Sequence, residues 1–266
     1  MGSGLRGIGA NPASPPYTQG PYRMSEIVNF QKPSVDGFDR YTLEENYNLR
    51  PQLNATIDQV FTVEAARAAS KDFEILGTNA ADADITFAST VGGVQLATAG
   101  ADNDQVIVLP HLDTDATAWA GVLWGTENQT IWECIVLTDT AVATTLLWAG
   151  LKLTNTPTIA TDADQVFFRY DTDVPDTNWQ VISSIGGTDT TTDSGVVVAA
   201  STVYYFRIEI DSNRQATCFI NDVAVFTTAA LTDNVDFIPY VGIQALTGSA
   251  RNLNLVKQKI SRFIFE

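Results

Sequence analysis

Residues 201–226, STVYYFRIEIDSNRQATCFINDVAVF, write a hairpin and the turn after it in one continuous pattern. Tyr204, Phe206, Ile208 and Ile210 alternate with Tyr205, Arg207, Glu209 and Asp211. That period of two sends one set of side chains into a core and the other toward water, the signature of a half-buried strand. Asp211-Ser212-Asn213-Arg214 then reverses the chain into 216–220, and Asn221-Asp222 makes a second tight turn before 223–226.

The same punctuation extends in both directions. Candidate strands separated by Gly, Asp, Asn and Thr turns cover 58–63, 73–77, 84–88, 94–98, 105–109, 118–124, 130–137, 144–153, 165–170, 179–185, 196–198, 204–211, 216–220, 223–227, 241–244 and 253–265. Only 64–69 reads as a brief helix. Many short strands at near-regular spacing predict an all-β antiparallel sandwich over 54–266 rather than alternating strands and helices. The long last strand suits a chain that begins and ends its sandwich side by side.

Residues 1–53 read differently. Asn11-Pro12-Ala13-Ser14-Pro15-Pro16, Gly20-Pro21, Lys32-Pro33 and Arg50-Pro51 describe an extended arm. Thr42-Leu43-Glu44-Glu45 has the form of a capping box and predicts a short helix through Asn48. Tyr17, Tyr22, Phe30, Phe38, Tyr41 and Tyr47 give the arm too many aromatics for a solvated spacer, and predict that it becomes ordered on a partner.

With 266 residues and 45% hydrophobic content, the chain can bury one large core. No run of eighteen apolar residues occurs, and the N-terminus lacks the apolar block of a secretion signal, so no membrane crossing is expected. Arg6 stands where a myristoylation signal would want Ser or Thr. The net charge of −16 is uneven: residues 1–71 carry 0, residues 72–250 carry −19 and residues 251–266 carry +3. An acidic body argues against nucleic acid as a partner. The balanced first segment is where contact with a partner is expected.

Chemistry-bearing constellations are few. Cys134 and Cys218 match no metal spacing and read as buried free thiols, with a disulfide as the alternative; His111 is the lone histidine. The carboxylate pairs Glu209/Asp211 and Asp72/Glu74 each share a strand face, and Arg207 beside the first predicts a solvated ion pair. No cofactor is expected. Asp102/Asp104, Asp113/Asp115, Asp162/Asp164 and Asp171/Asp173 offer calcium oxygen ligands, but such turns reverse any acidic β-chain. Among the tryptophans, Trp119, Trp124, Trp132 and Trp148 read as core, and Trp179, after an acidic turn, is the candidate glycan contact.

Residues 148–156 and 161–170, with Asn178-Trp179-Gln180, Phe219-Ile220-Asn221-Asp222, Ala230-Leu231-Thr232-Asp233, 238–244 and Ile260-Ser261-Arg262, resemble structural proteins of tailed bacteriophages, marine and cyanobacterial ones especially. The resemblance spans 72–262. At the level of fold it looks like the concanavalin A-like jelly roll of lectins and glucanases. Glucanases of that class carry an acidic cluster of the form Glu-x-Asp-x-x-Glu, which is absent here, and on that ground the chain is expected not to be an enzyme. The resemblance implies a virion structural protein. With the arm it becomes a capsid decoration or cement protein on the particle surface, strapped over the major capsid protein or other virion proteins and forming homo-oligomers, trimers among them. The alternative is a tail-fibre module recognising host-surface glycans.

Overall fold

The computed structural model describes residues 39–47, 73–88, 91–110, 118–154 and 162–264. In chain order the strands are β1 (Arg40–Glu45), β2 (Phe73–Leu76), β3 (Ile85–Phe87), β4 (Val94–Ala97), β5 (Gln105–Pro110), β6 (Trp124–Gly125), β7 (Ile131–Thr138) and β8 (Thr145–Lys152), followed by β9 (Gln165–Asp171), β10 (Asn178–Ile185), β11 (Thr188–Val197), β12 (Val203–Ile210), β13 (Gln215–Ile220), β14 (Val223–Ala230), β15 (Asp236–Ala245) and β16 (Asn252–Phe263). One short helix, α1 (Ala118–Gly121), precedes β6.

Two antiparallel sheets face one another as a sandwich of the jelly-roll kind. The first runs β14-β13-β12-β7-β16-β4-β3, with β1 also on β16; the second runs β11-β10-β9-β8-β15-β5-β2, with β6 also on β15. The hairpin of 201–226 forms as its alternation dictates. Phe206 pairs with Ile220 and Ile210 with Ala216. Asn221 and Asp222 take φ of 52° and 64°, the left-handed pair that a two-residue hairpin turn requires.

Between the sheets lies a core in which Trp132, Cys134 and Val136 of β7 meet Phe168, Trp179 and Val181 of the second sheet. Both cysteines are free and buried. They point inward from β7 and β13, with β12 between those strands, so two inter-strand spacings of about 4.8 Å separate them, beyond disulfide reach. Burial raises both thiols above their ordinary pKa.

Several elements differ from the sequence reading. The predicted helix from Thr42 is β1, a strand: Leu43 faces Ile260 in the core and Glu44 faces outward to Lys257 at 2.9 Å. The free edge of β16 overrides a local capping signal. The chain therefore does close its first and last described strands side by side, but with residues that the sequence assigns to the arm. Over 118–124 the expected strand is α1 followed by a two-residue strand, because Ala-Trp-Ala-Gly lacks alternation. β11 is ten residues long instead of three, a Thr-rich edge strand without apolar patterning. The predicted strand 58–63, the predicted helix 64–69 and His111 lie outside the described residues.

Candidate functional site

Strands β8, β9, β10 and β15 at the centre of the second sheet are buried on both faces, unlike the alternating strands of the first. Leu147, Ala149, Leu151, Val166, Phe168, Val181, Val241 and Ile243 turn into the sandwich. Leu146, Trp148, Phe167, Ile182, Ile238 and Tyr240 turn the other way and form a second apolar cluster with Ile107 and Leu109. Register arranges this outer face in cross-strand rows. Ser184, Gln165, Lys152 and Ile238 make the first; Ile182, Phe167, Gly150 and Tyr240 the second; Gln180, Arg169, Trp148 and Gly242 the third.

Two glycines make the aromatic rows fit. A Cβ on Gly242 would lie 2.6 Å from the Trp148 ring, and one on Gly150 would lie 2.5 Å from Phe167. The indole therefore lies flat across β15. Phe167 and Tyr240 meet edge to face at 5.9 Å. The cations on this face have carboxylate partners: Lys152 Nζ stands 3.7 Å from Asp162 Oδ2 and 5.4 Å from the Tyr240 ring centroid, and Arg169 Nε stands 3.3 Å from Asp176 Oδ2. Asp162 also accepts from the Thr154 hydroxyl at 2.7 Å. At the far end Gln105 donates to Gln244 at 2.6 Å, and Gln244 to Asn103 at 2.8 Å.

Against these satisfied groups stand five buried polar atoms without a hydrogen-bond partner: Trp148 Nε1, Gln165 Oε1 and Nε2, Ser184 Oγ and Tyr240 OH. Gln165 and Ser184 are 0% exposed, Trp148 is 1% and Tyr240 is 3%. Burial, with the nearby Asp162 carboxylate, raises the Tyr240 phenol, and burial lowers the Lys152 ammonium against the pull of Asp162. Leaving a buried polar group unpaired costs on the order of 1–3 kcal/mol, so these four side chains are a concentrated local cost to the fold, and their burial closes them to a ligand arriving from solvent.

The first sheet offers a contrasting outer face. A cleft of about 300 Å³ is lined by Glu133, Ile135, Tyr205, Lys257 and Lys259. Its charges are matched: Lys259 lies 2.6 Å from Glu133, and the Tyr205 hydroxyl donates to the same carboxylate. The predicted Arg207–Glu209 ion pair forms at 3.3 Å, without hydrogen-bond geometry at the Arg207 Nε. Asp211 instead accepts the Asn213 and Gln215 amides of the hairpin turn. This is a solvated ion ladder.

Of the expected contact residues, Trp179 is corrected outright. It is 1% exposed and packs edge to face on Phe206 at 4.8 Å and Tyr204 at 5.3 Å, because its strand turns it inward and Gln180 outward. Tyr41, expected in a free arm, is half-buried and lies 6.1 Å from Trp124, drawn in by β1. Tyr17, Tyr22, Phe30 and Phe38 lie outside the described residues, as does Asp113/Asp115. Among the remaining aspartates, Asp104 accepts from Asn79 and the Ala101 amide, and Asp164 from the Gly186 amide and the Thr232 hydroxyl. Those carboxylates close turns. Among the described residues no three His, Cys, Asp or Glu side chains gather as metal ligands. Sequence reading passed over Trp148, Gln165, Ser184 and Tyr240, whose shared face follows only from register.

No family model and no curated protein matches the chain. Solved structures do match. A protein of unknown function from Shewanella oneidensis MR-1 superposes with a TM-score of 0.55 at 12% identity, covering 92% of this chain and 96% of that one. A structure from work on endo-acting O-glycanases expressed by members of the human gut microbiota to initiate mucin breakdown has a TM-score of 0.54 at 6% identity, covering 83% and 98%. The family 7 alginate lyase A1-II' has a TM-score of 0.49 at 13% identity, covering 67% and 83%. These likenesses show the jelly-roll fold. They also correct the expectation of a non-enzyme. That expectation rested on a missing carboxylate cluster, which belongs to one hydrolytic mechanism, whereas a structure from work on O-glycanases shares this fold.

Proposed function

We propose that the chain is a virion surface protein of a tailed bacteriophage whose sandwich recognises a glycan. The observation that carries the glycan assignment is the two-sheet sandwich itself, shared at a TM-score of 0.54 with a structure from work on endo-acting O-glycanases. Proteins named for acting on carbohydrate are built on the same sandwich, which supports the reading as analogy of fold. Screening the full chain on a glycan array tests it. Binding of a defined glycan is expected, and no binding across a broad array withdraws it.

The virion assignment rests on the resemblance over 72–262. Capsid decoration is the placement favoured by β1, whose six residue pairs with β16 join the arm to the sandwich. An arm that straps over capsid subunits through Tyr17, Tyr22, Phe30 and Phe38 needs such a joint. Undecorated heads incubated with the full chain and with a chain starting at Asp39 separate the placements. Loss of head binding in the shorter chain supports the strap. Failure of both to bind heads, with glycan binding intact, moves the protein to the tail fibre.

A further inference from the structure

We infer that a cleft at the root of the arm receives a lysine or arginine side chain of the virion protein that the arm meets. This rests on the decoration reading above and adds the chemistry of the contact. The cleft, of about 390 Å³, is lined by Leu123, Glu127, Asn128, Asp236, Arg262 and Ile264. It opens where the arm leaves the sandwich: the Ile264 amide donates to the Asp39 carbonyl at 2.8 Å, and Arg40 pairs with Phe263.

The floor is built around Gly125 of β6, which pairs with Asp236 of β15. With no side chain there, Glu127 Oε2 and Asp236 Oδ1 each come within 3.2 Å of the point that a Cβ would occupy, and Asn128 Oδ1 within 2.6 Å. Two carboxylates held so close repel one another. Burial and then the Glu127 charge raise the Asp236 carboxyl, and Arg262 offsets them only in part. The Arg262 guanidinium is taken up by backbone, donating from Nε to the Phe263 carbonyl at 3.0 Å and from Nη1 to that of Leu123. Arg214 pairs at 3.3 Å with Asp233 rather than with either floor carboxylate. Among the described residues, then, no cation pairs with Glu127 or Asp236, unlike the matched charges of the cleft on the first sheet.

The walls are apolar and open to solvent. Leu123 is 59% exposed and Ile264 45%. A lysine or arginine carries both parts of the complement: an aliphatic stem to lie on Leu123 and Ile264, and a cationic head for Glu127 and Asp236. A bare metal ion would use only the carboxylates. Calcium takes about six to eight oxygens, whereas three side-chain oxygens converge here and Glu127 Oε1 already accepts from the Thr126 hydroxyl at 2.9 Å and from the Asn234 amide. The net charge of −16 also draws a basic partner surface from a distance. With cleft and arm side by side, one partner can engage both, and the second contact then forms at high effective concentration.

The test is binding to undecorated heads by the full chain and by its Asp236→Asn, Glu127→Gln, Leu123→Ser and Ile264→Ser variants, with Asp189→Asn on β11 as the control. Each cleft variant should weaken binding about three- to tenfold, the loss of one charge-assisted or apolar contact, and the control should match the parent. Asp236→Lys should weaken it further by setting like charge against the partner's. Asp236→Asn should melt no lower than the parent, since it relieves repulsion; a purely structural role would lower melting and leave binding alone. Cleft variants that bind as the parent does overturn the inference and spare the decoration reading. Failure of the parent to bind heads overturns both. Calorimetric titration of the full chain with calcium chloride should give no heat from this cleft; calcium uptake abolished by Asp236→Asn would assign the cleft to a metal ion and overturn the inference.

Discussion

Gly242 and Trp148 show how one atom decides the outer face of the second sheet. With no Cβ on β15, the indole lies flat; an added Cβ would sit 2.6 Å from the ring atoms Cε2 and Cζ2. Gly242→Ala should therefore destabilise by about 1–3 kcal/mol through overpacking, read as a lower urea midpoint with an unchanged slope. Glu133 illustrates the opposite kind of residue, one whose needs are met. Burial alone would raise its carboxyl, but hydrogen bonds from Lys259 and Tyr205 outweigh that and hold it below the usual 4.5. A depressed carboxylate stabilises the fold above its unfolded pKa, and that contribution is lost as pH falls through the folded value. Glu133→Gln should thus flatten the fall of the urea midpoint below pH 4.5, and an unchanged acid limb would show that the pair adds nothing. Trp179 marks what single residues fail to tell. Its acidic neighbours suggested exposure, yet the alternation Trp179, Gln180, Val181 already encoded an inward ring.

At the scale of the element, the strands that read easily were those buried on one face. β7, β12 and β13 alternate strictly, so their sequences carry their own register. β8, β9 and β15 are apolar on both faces; the chain shows that they are strands but not which side each residue takes, and the candidate site stayed hidden for that reason. β1 was missed because its partner lies more than two hundred residues away and its local signal favours a helix. Its consequence is testable. Tyr47, just after β1, is fully buried, accepts a hydrogen bond from Gln258 at 2.7 Å and lies 5.7 Å from Phe73. Two truncated chains, one starting at Asp39 and one at Asn54, differ by residues 39–53, which include β1 and Tyr47. The shorter should be less stable by at least about 3 kcal/mol, the scale of one buried aromatic side chain. Equal melting of the two would show that β1 is a passive attachment.

For the molecule as a whole, charge is segregated by sheet. Arg40, Arg207, Lys257 and Lys259 share the outer face of the first sheet with Glu44, Glu133 and Glu209, pairing or stacking there. The acidic excess of residues 72–250 falls mostly on turns and on edges such as β11, with Asp189 and Asp193. Two electrostatic effects then oppose one another. Like charges on the turns repel across the molecule and weaken the compact state, while the ion ladder supports the first sheet. Salt discriminates between them by distance. Raising NaCl from 0.01 M to 1 M contracts the screening length from about 30 Å to about 3 Å, which removes repulsion between turns but only weakens contacts such as Lys259–Glu133 at 2.6 Å. Repulsion should dominate at a net charge of −16, so the melting temperature should rise by about 2–4 °C, equivalent to about 1 kcal/mol for a chain of this size. A fall over the same range would mean that the paired face of the first sheet contributes more than the acidic turns cost.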